Sequence, residues 1–116
     1  MIGLMSADGQ TLYYTKNFRG PLYSRPVAGG EEREVLPFVE YKAFYPVADG
    51  IYYIGKRTAG GYCPLAFYDF ASRTSRMLAK IEGIIYQGLV VSPDGKSVIF
   101  THSARSGSSL MMIENF

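Results

Sequence analysis

Residues 91–100, VSPDGKSVIF, place a Pro-Asp-Gly turn between two apolar segments. Pro93 fixes φ for the first central position of a type I turn, and Asp94 suits the second, where its carboxylate accepts a nearby backbone N–H. Gly95 then takes the left-handed conformation that completes a three-residue hairpin connection with a bulge. Because the segments on both sides are rich in β-branched and aromatic residues, they are predicted to be antiparallel strands.

The same turn recurs along the chain. Two weaker copies are MSADGQTLYY at 5–14 and PVADGIYYI at 46–54. The turns begin at Asp8, Asp49 and Asp94, so the repeat lengths are 41 and 45 residues. A period of about 40–45 residues with strand content is typical of a four-stranded propeller blade. The sequence therefore predicts an all-β fold of β-propeller type, built from four-stranded antiparallel blades.

The repeats set the predicted boundaries. Blades are predicted over residues 2–38, 43–81 and 86–116, a single partial propeller domain of about 2.75 blades, since the third lacks its fourth strand. Pro26 and Pro37 each remove a ladder donor, which favours outer, edge-like or bulged positions for the third and fourth strands. Closed propellers have about four to eight blades, and three alone leave two broad apolar faces in water. We therefore expect the C-terminal part of a larger propeller, or a chain completed by self-association.

Composition excludes several classes of function. The net charge is +2 and the basic residues are dispersed, which argues against a nucleic-acid partner. A single cysteine allows neither an intramolecular disulfide nor a multi-cysteine metal site. There is no apolar run near 18 residues and no signal-peptide pattern, so no membrane segment is expected in this chain, while cytoplasm and periplasm both stay open. No cofactor is predicted.

Two residues are the candidates for catalysis. His102 is the only histidine, so a hydrolytic triad or a histidine base would have to use it. It is predicted at the end of a second strand, where the equivalent residues are Lys16 and Gly55, and this unlike chemistry favours a solvent-facing strand end. Cys63 is predicted in a loop or at a strand start, with no helix N-terminus to lower its thiol pKa. With no Gly-x-Ser-x-Gly elbow either, the chain is predicted not to be an enzyme.

Other polar motifs have structural explanations. Three Asp-Gly pairs at equivalent places could hold a cation on one rim, but turn chemistry favours an Asp that caps its own turn. The glycine-rich segments 59–62 and 105–109 have neither the following helix nor the pattern of a phosphate-binding loop.

The second strand of each repeat is apolar on both faces. Tyr13, Tyr52 and Ile99 share one face, and their immediate neighbours share the other. Such strands are covered on both sides, as between stacked blades. The aromatic residues are therefore predicted to be mostly core, the alternative being a stacking platform for bases or sugars.

The loops between second and third strands are predicted to share one rim. We expect this rim to be the docking place for a ligand or an acidic partner, the alternative being solvated charged loops. Its charged residues are Lys16, Arg19, Lys56, Arg57, His102 and Arg105.

Residues 89–116, LVVSPDGKSVIFTHSARSGSSLMMIENF, resemble the closing blade of bacterial TolB-like, WD-repeat-like β-propellers. Repeats of that family carry a Ser-Pro-Asp-Gly-Lys turn, and some of its chains end in a similar Leu-Met-x-x-Glu-Asn-Phe tail. The resemblance implies a non-catalytic propeller that often follows a regulatory, kinase, peptidase or transport-associated domain.

The predicted function is therefore a protein-interaction platform. Its partner is expected to be a second copy, giving a homo-oligomer, or missing N-terminal blades. The alternatives are an accessory or gating portion of a larger enzyme such as a serine peptidase, and a propeller that binds a small ligand or carbohydrate.

Overall fold

The computed structural model describes residues 3–40, 43–82, 84–92, 97–104 and 107–114. These residues form three antiparallel sheets, and no α-helix occurs among them. The predicted all-β antiparallel class is confirmed. In the described part of the chain, no helix has the length and apolar composition needed to cross a bilayer.

Each sheet is a meander in which strands that follow one another in the chain pair with each other. Sheet 1 contains β1 (Gly3–Met5), β2 (Thr11–Thr15), β3 (Gly20–Pro26) and β4 (Arg33–Val39). Sheet 2 contains β5 (Phe44–Pro46), β6 (Gly50–Ile54), β7 (Tyr62–Asp69) and β8 (Thr74–Glu82). Sheet 3, as described, contains β9 (Ile84–Val91), β10 (Ser97–Ala104) and β11 (Gly107–Glu114). These strands lie where the repeat predicts them, although several are longer than predicted.

The first Asp-Gly turn forms as predicted. The backbone N–H of Gln10 and the hydroxyl of Ser6 both donate to Oδ1 of Asp8, at 3.0 and 2.5 Å. Gly9 has φ +73°, a left-handed conformation that glycine adopts without strain. The carboxylate of Asp8 therefore caps its own turn.

A serine closes both the first and the third turn, which the Asp-Gly pattern does not reveal. The N–H of Thr11 donates to Oγ of Ser6 at 3.1 Å, and the N–H of Ser6 donates to the carbonyl of Thr11 at 2.8 Å. Ser92 and Ser97 make the same two bonds, at 3.0 and 2.9 Å. The predicted turn residues between them, 93–96, lie outside the described residues. The matching closure shows that the two turns begin and end alike.

The second turn is two residues shorter and differs in kind. The N–H of Val47 donates to the carbonyl of Gly50 at 2.8 Å, and Gly50 already belongs to β6, paired with Asp69. A Cβ on Gly50 would lie 2.0 Å from the carbonyl oxygen of Tyr68, so this glycine is required by close backbone approach. Among the described residues no side-chain hydrogen bond joins Asp49 to its turn, and the predicted cap is absent there.

The sheets stack in chain order. We call the face of a sheet turned toward the next sheet its front face, and the face turned toward the preceding sheet its rear face. The core between the front of sheet 1 and the rear of sheet 2 contains Tyr13, Leu22, Leu36, Val39, Phe44 and Ile51. The core between the front of sheet 2 and the rear of sheet 3 contains Ala43, Ile54, Cys63, Leu65, Ile81, Leu89, Val91 and Val98.

Strand β6 is covered on both sides, as predicted. Ile51 and Tyr53 pack into the core shared with sheet 1, whereas Tyr52 and Ile54 pack into the core shared with sheet 3. Because successive side chains of a strand point to opposite faces, this alternation alone requires a sheet on each side of sheet 2.

The prolines are accommodated in two ways. Pro37 lies on β4, the edge strand of sheet 1, as predicted. Pro26 lies on β3, the third strand of its sheet as predicted, but β3 is not an edge strand, since it lies between β2 and β4. Pro26 is the last residue of β3, where a missing donor interrupts no continuing ladder.

Gly50→Ala is expected to lower the free energy of unfolding by about 3 kcal/mol, because the added methyl group overlaps backbone that must shift. The matched control is Gly60→Ala in the β6–β7 loop. There the nearest atom is on the Tyr62 ring at 3.3 Å, and a change below about 1 kcal/mol is expected. Urea unfolding measures both variants, and equal losses would contradict the close approach at Gly50.

Candidate functional site

The loops of sheets 1 and 2 that the sequence predicts to share a rim lie close together. The ammonium of Lys56, in the β6–β7 loop, lies 5.9 Å above the ring of Phe38 near the end of β4. Val39 pairs with Gly20, where β3 begins after the β2–β3 loop. The two loops therefore reach the same end of the stacked sheets.

For sheet 3 the rim prediction stays a prediction. His102 lies within β10, paired with Ile85 and Ser109, two residues before the strand ends at Ala104. The predicted strand end at this residue is therefore wrong, because β10 continues. Arg105 lies outside the described residues.

Cations of the rim bind groups of the chain itself. Nζ of Lys16 lies 2.8 Å from Oε2 of Glu32 and 4.3 Å from the centroid of the Tyr23 ring. Nη1 of Arg57 donates to the carbonyl of Gly61 at 2.9 Å. These contacts order the loops, and they leave less of the positive charge available to an acidic partner than the sequence suggests.

Arg19 has the most consequential of these contacts. Its Nε donates to Oε1 of Glu40, whose side chain is 6% exposed, whereas that of Arg19 is 55% exposed. A buried carboxylate needs such a partner, since an uncompensated buried charge is strongly destabilising. The ion pair fixes the β2–β3 loop to the segment that follows β4. Because 21 residues separate the two, no local sequence pattern points to the pair.

Cys63 is a structural residue. It is the second residue of β7, so the strand-start position is confirmed over the loop position. Its side chain is fully buried in the core between sheets 2 and 3. Burial raises the pKa of its thiol, which is the opposite of what a nucleophilic cysteine requires.

The glycine-rich loop between β6 and β7 closes on itself. The N–H of Gly61 donates to the carbonyl of Thr58 at 3.0 Å, and the N–H of Thr58 donates to the carbonyl of Tyr62 at 2.8 Å. These N–H groups are therefore not directed at a phosphate. In segment 105–109, the first two residues lie outside the described residues and the rest belong to β11. In the described ranges, no three His, Cys, Asp or Glu side chains cluster to hold a metal ion.

The rear face of sheet 1 is covered by no sheet in the described part of the chain. Tyr14, on this face, is only 3% exposed, and its hydroxyl donates to Glu32. Its ring centroid lies 6.0 Å from that of Tyr23, over which Lys16 is placed. Hydrogen bonds from Lys16 and Tyr14 hold the pKa of the Glu32 carboxyl below its ordinary value. The broad apolar face expected here is instead a mixed aromatic and charged one, with Met5 57% exposed beside it.

The front face of sheet 3 is the second face without a described sheet against it. Leu89 and Val91 are buried on the rear face, and Val90 between them is 54% exposed. The register pairs Val90 with Ile99, and Ile99 with Met112. Three apolar residues thus occupy one row across β9, β10 and β11.

The first strands of the three sheets converge. β5 contacts both β1 and β9. A cleft of about 480 Å³ lies where they end, lined by Leu4, Tyr45 and Val91 among others. The three strands therefore surround one common region.

The comparisons with known proteins add no family to this geometry. No family model matches the sequence, and no curated protein matches it.

Arg19→Met is expected to lower the free energy of unfolding by about 2 kcal/mol, less than a fully buried pair would lose, because Arg19 is half exposed. Lys16→Met is the control, since it breaks the exposed pair with Glu32 and is expected to have a clearly smaller effect. Urea unfolding at neutral pH measures both. Similar values for the two variants would contradict the structural role of the Arg19–Glu40 pair.

Cys63 is expected to resist a thiol reagent such as dithionitrobenzoate in the folded protein and to react in full after unfolding in guanidinium. The signal is unambiguous because the chain has one cysteine. Rapid reaction of the native protein would show that β7 opens readily or that the thiol is not buried.

Proposed function

We propose that this chain is a partial β-propeller of the TolB-like, WD-repeat-like kind, and that it serves as a non-catalytic platform for contact with another protein chain. The observation that carries the proposal is the front-to-rear stacking of three meander sheets, with their first strands adjacent. In a propeller, four-stranded blades are arranged around a central channel. Contact of β5 with both β1 and β9 is what such an arrangement requires.

The open faces supply the surface for contact. The rear face of sheet 1 presents Met5, Tyr23 and Arg25, and the front face of sheet 3 presents Val90. Tyrosine, methionine and arginine are the residue types enriched in protein interfaces. Together with the engaged rim cations and the buried Cys63 thiol, these faces favour a role in binding another chain over one in chemistry.

A platform for protein contact is expected to have a melting temperature that rises with the concentration of the chain, since association stabilises the folded state by mass action. The measurement is thermal unfolding over a hundredfold range of chain concentration, and in the presence of a panel of mono- and oligosaccharides. A rise with a saccharide but not with the chain would replace the proposal with a carbohydrate-binding function. A melting temperature that responds to neither would overturn it.

A further inference from the structure

We propose that the partner of the two open faces is a second copy of this chain. The front face of sheet 3 in each copy packs on the rear face of sheet 1 in the other, and two copies close a ring of six sheets. This inference rests on the proposed function and specifies its partner, its surfaces and its stoichiometry.

The chain already makes the required interface twice. The front of sheet 1 packs on the rear of sheet 2, and the front of sheet 2 packs on the rear of sheet 3. The faces left open are one front and one rear, which are the two halves of a third interface of the same kind. Continuation of the stack by another copy therefore needs no new type of contact.

The rear face of sheet 1 is built like a rear face that is covered. Leu12-Tyr13-Tyr14 in β2 corresponds to Ile51-Tyr52-Tyr53 in β6. Ile51 and Tyr53 lie on the rear of sheet 2 and pack against sheet 1. Leu12 and Tyr14 occupy the equivalent places on the rear of sheet 1, beside Met5 and Tyr23 in the register. The face thus repeats the pattern by which sheet 2 contacts its neighbour.

The number of copies follows from closure. Contact between a front and a rear face is heterologous, so it produces a ring or an open filament. Each copy contributes the three sheets that the described residues form, and closed propellers have about four to eight blades. Six is the only multiple of three in that range, so the ring contains two copies.

The first experiment is light scattering on a sizing column, for the purified chain and three variants. The unmodified chain is expected at about 26 kDa, twice its mass of 12.9 kDa. Met5→Arg places a charge on the rear of sheet 1, and Val90→Arg places one on the front of sheet 3, so each is expected to halve the mass. Val27→Arg is the matched control. Val27 is 54% exposed, as Val90 is, but lies in the turn between β3 and β4, so this variant should remain a dimer.

Mixing the two face variants tests which faces meet. The Met5→Arg chain keeps an intact front of sheet 3, and the Val90→Arg chain keeps an intact rear of sheet 1. An equimolar mixture is therefore expected to recover a 1:1 complex through one native interface. If like faces paired instead, at least one single variant would stay dimeric and mixing would restore nothing. Met5 and Val90 are more than half exposed, so both arginine variants are expected to fold. Circular dichroism of each variant checks this.

Failure of the two-copy ring can be distinguished from failure of the platform function. A monomer, a filament, or a dimer that both arginine variants leave intact would overturn the two-copy ring. If the melting temperature still rises with chain concentration in the last two cases, the platform function stands without this ring. A monomer whose melting temperature is independent of concentration and of the saccharides would overturn both.

Discussion

The burial of both faces of sheet 2 is the constraint on which the rest of the structure depends. In β6, Ile51 and Tyr53 belong to one core, and Tyr52 and Ile54 belong to the other. Neither core exists without this strand, because each is completed by a different neighbouring sheet. Gly50 serves the same constraint, since its lack of a side chain lets β6 begin against the backbone of β7. A strand of five residues thus joins three sheets into one stack.

Charge pairing fixes the ends of this stack. Glu40 is buried, so the chain must hold a cation against it, and Arg19 from the β2–β3 loop fulfils that need. Lys56 above Phe38 links the next loop to the same end of sheet 1. The positive residues that look like a binding surface in the sequence therefore contact the chain's own side chains and stabilise this end of the stack. A rim built in this way presents ordered loops, and its remaining charge is what a partner would meet.

The strands and their order could be predicted because the repeat places apolar alternation around each Asp-Gly pair at nearly constant spacing. Alternation at Tyr52 also predicted that β6 is covered on both sides. The same alternation at Tyr13 did not hold for β2, because no described sheet covers the rear face of sheet 1. The bonds of Ser6 and Ser92 across their turns could not be predicted, because serine before a turn has many uses. The pairing of Arg19 with Glu40, and the cover that Lys16 and Glu32 give Tyr14, arise only when distant residues meet. In the sequence Gly50 looks like a turn glycine. The backbone that leaves no room for a side chain at this position belongs to β7, which follows later in the chain.

The charged cover on the rear of sheet 1 has a consequence for association. Lys16 and Tyr14 both donate to the carboxylate of Glu32 within a single copy. A sheet that docks on this face therefore meets charges that are already paired, and the heaviest penalty of burial, that of a lone ion, does not arise. The same arrangement keeps Tyr14 out of water while no partner is present. A face of this kind is compatible with both the free and the associated chain. A purely apolar face would favour non-specific association whenever it was exposed.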